Sequence, residues 1–330
     1  MENIAHIFAV LLMGTVTLGL VAWMAGAIYF DVGRGARWSW VPTAGWCLFV
    51  VVLFATWQPL WCPYAVLLAT ALVFIGWWLS LKPSHDRQWD ASVAVLPWAV
   101  RRDDVVTIEN VRNNEYRSFD DFTARYETRS YHLANLKAAD IIFFYWGSPW
   151  MSHPVLVFDF GPDGRVCMSI EVRFRKDQRY AVLRSLYRQQ EVIYLVVDER
   201  DAVLRRTKHG HIDGYLYRLN EAADRLRTAF LDYVAAINDL YDKPRWYHAL
   251  CANCTTGFYR LPNSRRHCDW RVIANGRLDR ALYEAGRLDR SLPFEELRQT
   301  SYINEIAETA PEEGFGDYLR REIERLRHER

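Results

Sequence analysis

The chain has 330 residues and a near-even charge balance, 41 Lys and Arg against 40 Asp and Glu. That balance lacks the basic field nucleic-acid binding needs, so no nucleic-acid partner is expected, and six cysteines in this length exclude a small disulfide scaffold. Residues 1–81 hold only four charged side chains, Glu2, Asp31, Arg34 and Arg37, so the mean hydropathy of −0.17 averages an apolar third with a polar two-thirds.

Ile7 to Phe30 carries no charge and is long enough for one bilayer-spanning helix, which needs about 20 residues. Trp38 to Leu81 is also uncharged, and at about 1.5 Å per residue it is too long for a single crossing. Gln58-Pro59 and Pro63 mark the break, because proline removes helix donors. Three transmembrane helices are therefore expected, over about 7–30, 42–58 and 63–81. Trp38, Trp40, Trp46, Trp57, Trp61, Trp77 and Trp78 fall near their ends, as interfacial aromatics do. Ala25-Gly-Ala27 resembles a signal-peptide cleavage site. The stretch before it lacks a basic start and is long for an h-region, so an uncleaved anchor is expected. Three spans put the termini on opposite sides. Arg34 and Arg37 alone would place the first loop, and with it the C-terminal domain, in the cytoplasm.

Residues 82–104 read as a connector. Val105–Tyr116 and Thr123–His132 read as strands, and Ile141–Trp146 as a short buried one. Val155–Phe160 and Arg165–Phe174 are two strands joined by the turn signal Gly161-Pro-Asp-Gly164. Lys176–Gln190 has helical spacing, with Tyr180, Leu183, Leu186 and Tyr187 on one side. Val192–Val197 is another strand, and Glu221–Tyr241 a helix with the stripe Ala222, Leu226, Phe230, Tyr233, Val234 and Ile237. From Pro293 onward the chain reads as helical, ending in a charged, solvated surface helix. The fold class is α+β, with 105–330 as its catalytic domain.

The 153–174 hairpin carries the sharpest argument. Its even positions, Leu156, Phe158, Phe160, Val166, Met168, Ile170, Val172 and Phe174, are all apolar. Its odd positions include His153, Asp159, Ser169, Glu171 and Arg173. Strand side chains alternate faces, so one apolar face forces paired residues to share parity. His153 and Glu171 then lie on one face, directly opposite or one diagonal step apart. The same parity demands a connection with an odd number of residues, or a bulge, at Gly161–Gly164. A carboxylate beside an imidazole orients the ring and favours its charged form. The competing reading is a surface His and Glu on a solvated strand face.

Cys254, in Asn253-Cys-Thr-Thr, reads as a loop-to-helix junction, where the helix start and a nearby imidazole favour a thiolate. Asn and Thr cap helices whatever the chemistry. Cys251 reads as a buried, inert thiol, and Cys47 and Cys62 as packing residues. The CxxC of Cys251 and Cys254 lacks a second ligand pair at zinc spacing, so no metal is expected. His248 and His267 are competing bases for Cys254, but strand alternation gives neither a carboxylate.

Trp146-Gly-Ser-Pro-Trp-Met-Ser-His153-Pro, Ser169-Ile-Glu171-Val-Arg and Arg245-Trp-Tyr…Asn253-Cys254-Thr-Thr together resemble the signature blocks of the Lnb-type lipoprotein N-acyltransferase domain. Ile108-Glu-Asn-Val-Arg-Asn-Asn-Glu-Tyr-Arg117-Ser is similar to the stretch that opens that domain, so the resemblance covers about 105–275. It implies a permuted NlpC-type (papain-like) domain behind an N-terminal bundle of transmembrane helices. It also implies Cys254 as nucleophile, His153 as base and Glu171 as the orienting third member. Asn253, Thr255 and Ser152 are expected to bind substrate or the oxyanion, with no cofactor. The resemblance further implies a periplasmic working side at a bacterial inner membrane, which outweighs the two arginines. There the acyl donor expected is a membrane phospholipid and the acceptor a diacylglyceryl-cysteine lipoprotein. A membrane-bound cysteine phospholipase or thiol peptidase with the same triad, and a non-catalytic envelope-assembly factor, are the alternatives.

Overall fold

The protein's structure, a computed structural model, describes residues 2–34, 36–146, 148, 150–176, 178, 181–250 and 275–329. The chain forms two compact units, the first comprising Met1–His85, Arg179–Glu191 and Trp246–Ala249 and the second the remainder.

In the first unit, helices α1 (Glu2–Ala27), α2 (Trp40–Thr56) and α3 (Trp61–Ser80) enclose a thin core of Met24, Trp46, Leu67 and Ala71. Trp46 donates its indole N–H to the Val21 carbonyl at 3.2 Å. Most of the other apolar side chains point outward, among them Ile4, Phe8, Leu18, Leu48 and Val73. A helix that is apolar all round is stable only where its outside also meets an apolar medium. Residues Ile4–Val32 and Trp61–Ser80 form helices long and apolar enough to cross a membrane. The expected second span is a helix of 17 residues, Trp40–Thr56, which is shorter; at about 1.5 Å per residue it covers about 25 Å.

The second unit is α+β, built on a mixed sheet. The strands are β1 (Trp98–Arg102), β2 (Val105–Arg112), β5 (Tyr126–His132), β6 (Ala138–Tyr145), β7 (Ser152–Asp159), β8 (Arg165–Arg173), β9 (Glu191–Val197) and β10 (Asp213–Arg218). Their order is β1-β2-β9-β8-β7-β6-β10, with β5 added to β2; the link of β2 to β9 is parallel. A short pair, β3 (Glu115–Tyr116) and β4 (Phe122–Thr123), stands apart. Strand β1 falls inside the stretch expected as connector.

Helix α5 (Ala223–Asp242) forms on its apolar stripe and sets Phe230 against Phe158 and Phe160 at ring-centroid distances of 5.3 and 4.8 Å. The even-numbered hairpin face is therefore buried. The odd-numbered face is buried as well. Val155, Val157 and Cys167 pack against Ala202 and Val203 of α4 (Glu199–Arg206), Ala307 of α8 (Asn304–Thr309) and Phe315, Leu319 and Ile323 of α9 (Phe315–His328). Helices α6 (Leu278–Glu284) and α7 (Phe294–Thr300) complete the C-terminal part.

Two expectations need correction. Lys176–Gln190 is not a helix among its described residues: it holds one 3-10 turn, Arg184–Leu186. Its apolar residues serve different partners, with Leu183 exposed and Tyr187 stacked on Phe30, so tertiary contacts override the local period. The charged C-terminal helix is not a solvated surface helix. Phe315, Leu319 and Ile323 recur every four residues and enter the core. Buried Arg320 bonds Asp140 at 2.5 Å and Glu199 at 2.9 Å.

Candidate active site

The β7–β8 register pairs Leu156 with Met168, Val157 with Cys167, Phe158 with Val166 and Asp159 with Arg165. Every pair shares parity, and residues 160–164 make the odd-numbered connection that parity requires. Gly161 and Gly164 allow it, with φ of 57° and 86°, where side-chain-bearing residues are strained. Carried back along the strands, the same register sets His153 opposite Glu171. The structure brings the two side chains together, His153 Nε2 lying 3.3 Å from Glu171 Oε1.

The pair is not on a solvated face. Both side chains are largely buried, at 11% and 14% exposure. Glu171 Oε1 also accepts hydrogen bonds from Ser169 Oγ at 2.7 Å and from Arg206 Nη2 at 2.5 Å. Arg206 comes from the last turn of α4 and lies 5.1 Å over the Phe144 ring, on the residue paired with His153 across β6–β7. Burial alone would push the Glu171 carboxyl up. The Arg206 charge, the hydrogen bond and charge of His153, and Arg112 outweigh burial and hold it well below 4.5. Glu171 is thus a carboxylate throughout the neutral range, suited to orienting an imidazole and stabilising its charge.

Helix α4 is itself pinned. Asp198 caps its first turn by accepting from the Arg200 N–H. Asp201 makes a two-pronged pair with Arg112 of β2, at 3.1 and 2.8 Å, and accepts from the Asn114 N–H and the Tyr116 hydroxyl. Arg112 and Asp201 are both buried, and Asp201's oxygens are fully used. This anchor fixes the helix that delivers Arg206.

Cys254, Asn253 and Thr255 lie outside the described residues, as do Cys251, Cys268 and His267. Asn275, the first described residue after them, is tied to the site. Its Oδ1 accepts from the Ser152 N–H at 2.7 Å, its carbonyl accepts from Ser152 Oγ at 2.8 Å, and its Nδ2 donates to the Ser152 carbonyl at 2.6 Å. Both donors of Ser152 are thereby given to Asn275. Asn275, 21 residues after Cys254 in the sequence, is thus held against the residue that precedes His153. Of the described cysteines, Cys167 is fully buried, and burial pushes its thiol well up, away from nucleophilic thiolate. His248 belongs to the other unit.

Sequence reasoning did not find Arg206, Asn275 or the Arg112–Asp201 anchor. Only the helix bearing Arg206 had a signal: the strand ending at Val197 is followed by the capping residue Asp198, an acidic first turn and a basic last turn.

Residues 122–275 match the family model of the Lnb N-terminal periplasmic domain. The stretch runs from β4 to Asn275 and carries His153, Glu171, Arg206 and Cys254; Ile108 to Ser118 lies outside it. The match supports an Lnb-like protein. Together with the apolar N-terminal helix it is consistent with a membrane protein that has a periplasmic domain. No curated protein and no solved structure matches the chain.

Proposed function

We propose that the protein is a lipoprotein N-acyltransferase of the inner membrane, working on the periplasmic side through a Cys254 thioester. The observation that supports it most is the buried His153–Glu171 pair, its carboxylate held ionised by Arg206, within the stretch similar to the Lnb periplasmic domain. The chain order His153, Glu171, Cys254 is that of permuted NlpC-type domains, and the fold reading rests on that order.

His153 takes the Cys254 proton, and the thiolate attacks the ester carbonyl of a membrane phospholipid. The lysophospholipid leaves with the proton from His153, and the acyl group stays on sulfur as a thioester. The α-amino group of a diacylglyceryl-cysteine lipoprotein attacks that carbonyl, loses a proton to His153 and becomes an amide as the cysteine departs. Glu171 stabilises the imidazolium in both halves. Excluding water decides transfer over hydrolysis, and a donor held in lipid supplies that exclusion.

The test uses purified protein in lipid vesicles with labelled phospholipid and a diacylated lipopeptide acceptor. Label should move to the lipopeptide amine, and Cys254→Ser should abolish the transfer. Full-rate transfer by that variant contradicts the mechanism. Free fatty acid released at the same rate with and without acceptor would make the protein a hydrolase.

A further inference from the structure

Residues 181–190 lie in the first unit together with the apolar helices. Tyr187 stacks on Phe30, ring centroids 5.2 Å apart, and its hydroxyl fills the place a Cβ on Gly26 would take. Gln189 donates to Asp31 Oδ1 at 2.8 Å, while Trp78 donates to Asp31 Oδ2 at 2.7 Å. Arg188 lies 4.2 Å over the Trp78 ring and donates to the Leu79 and Leu81 carbonyls at 2.9 and 2.7 Å. Those carbonyls end α3, where helix acceptors lack intrahelical partners. The segment is therefore fixed at the level where α1 and α3 end.

From that level two adjacent apolar side chains, Val182 and Leu183, stand out at 47% and 65% exposure. Arg184 and Arg188 follow them in the sequence. Aliphatic side chains beside arginines suit the boundary between lipid headgroups and acyl chains. We propose that residues 181–188 form an interfacial lip that inserts Val182 and Leu183 into the leaflet in which α1 and α3 end. This rests on the membrane reading above and adds to it where the lipid meets the folded chain. Residues 181–190 also hold the segment Tyr247–Ala249 of the same unit: Ala249 donates to the Ser185 carbonyl and Tyr247 to the Gln190 carbonyl, both at 2.8 Å. Cys254 follows Ala249 by five residues in the sequence. A lip held in the headgroup layer keeps Tyr247–Ala249 at that layer as well.

The test places the photo-crosslinker benzoylphenylalanine singly at Leu183, at Leu11 of α1 and at Asp224 of α5, an exposed side chain of the second unit. The full chain is reconstituted in phosphatidylethanolamine and phosphatidylglycerol vesicles, irradiated, and analysed by intact mass. Phospholipid adducts at positions 183 and 11, with none at 224, are expected. Adducts at 11 but not 183, or protein-only adducts at 183, overturn the lip. No adduct at 11 overturns the membrane reading itself.

Discussion

The two faces of the β7–β8 hairpin meet the same burial with different residues. The even-numbered face is apolar from Leu156 to Val172, and its Phe158 and Phe160 pack against Phe230 of α5. The odd-numbered face is apolar only in its middle, at Val155, Val157 and Cys167, and ends in Ser169, Glu171 and His153 beneath α4. An apolar end would bury at less cost, because desolvating a charge is repaid only through partners placed for it. Glu171 has those partners in Arg206, Ser169 and His153. The even face accounts for the fold, and the polar end of the odd face is where we place the chemistry.

That division is broken most directly by moving a loss from one face to the other. His153→Ala should lower acyl transfer by roughly 10²–10⁴-fold, a far larger effect on rate than its loss of one partner of Glu171 has on the unfolding midpoint in detergent. Phe158→Ala, on the even face, should do the reverse. It should lose about 3–5 kcal/mol of stability, seen by denaturation, with the rate per folded molecule retained. Arg206→Ala strands the buried Glu171 carboxylate and should cost about 3–5 kcal/mol as well as rate, so both assays move together. Asn275→Ala removes two hydrogen bonds to Ser152 and should cost about 1–3 kcal/mol, with a loss of rate because Ser152 precedes His153.

The smallest effect is a pH dependence. Glu171 is held below its unfolded value of 4.5, so the stability it contributes is fully present above 4.5 and is lost as pH falls through its lowered folded value. Glu171→Gln should therefore lose stability less steeply than the parent below about pH 4.5, and run parallel to it between pH 5 and 8. A change of rate within that upper window reports other groups than Glu171.

Much of this was legible because the signals are local. A period of two over 153–174, with a Gly-Pro-Asp-Gly turn, sets a register, and register sets His153 opposite Glu171. The stripe of α5 and the uncharged N-terminal runs are equally local. Arg206 was not legible, because its bond to Glu171 joins residues 35 apart, and its helix of eight residues is too short and too charged to show a stripe. Asn275 lies 123 residues from Ser152. Residues 181–190 misled because Tyr187 and Leu183, spaced as one helix face, look toward different surroundings.

The central claim is that the His153–Glu171 pair serves a cysteine 83 residues beyond Glu171 in the sequence. Intact-mass analysis of the purified protein after exposure to phospholipid vesicles tests it most directly. One acyl group should appear on the parent protein, map to Cys254 by peptide analysis, yield to hydroxylamine as a thioester does, and be lost in His153→Ala. An unmodified Cys254 in protein that still transfers acyl groups, or full acylation of His153→Ala, would contradict it.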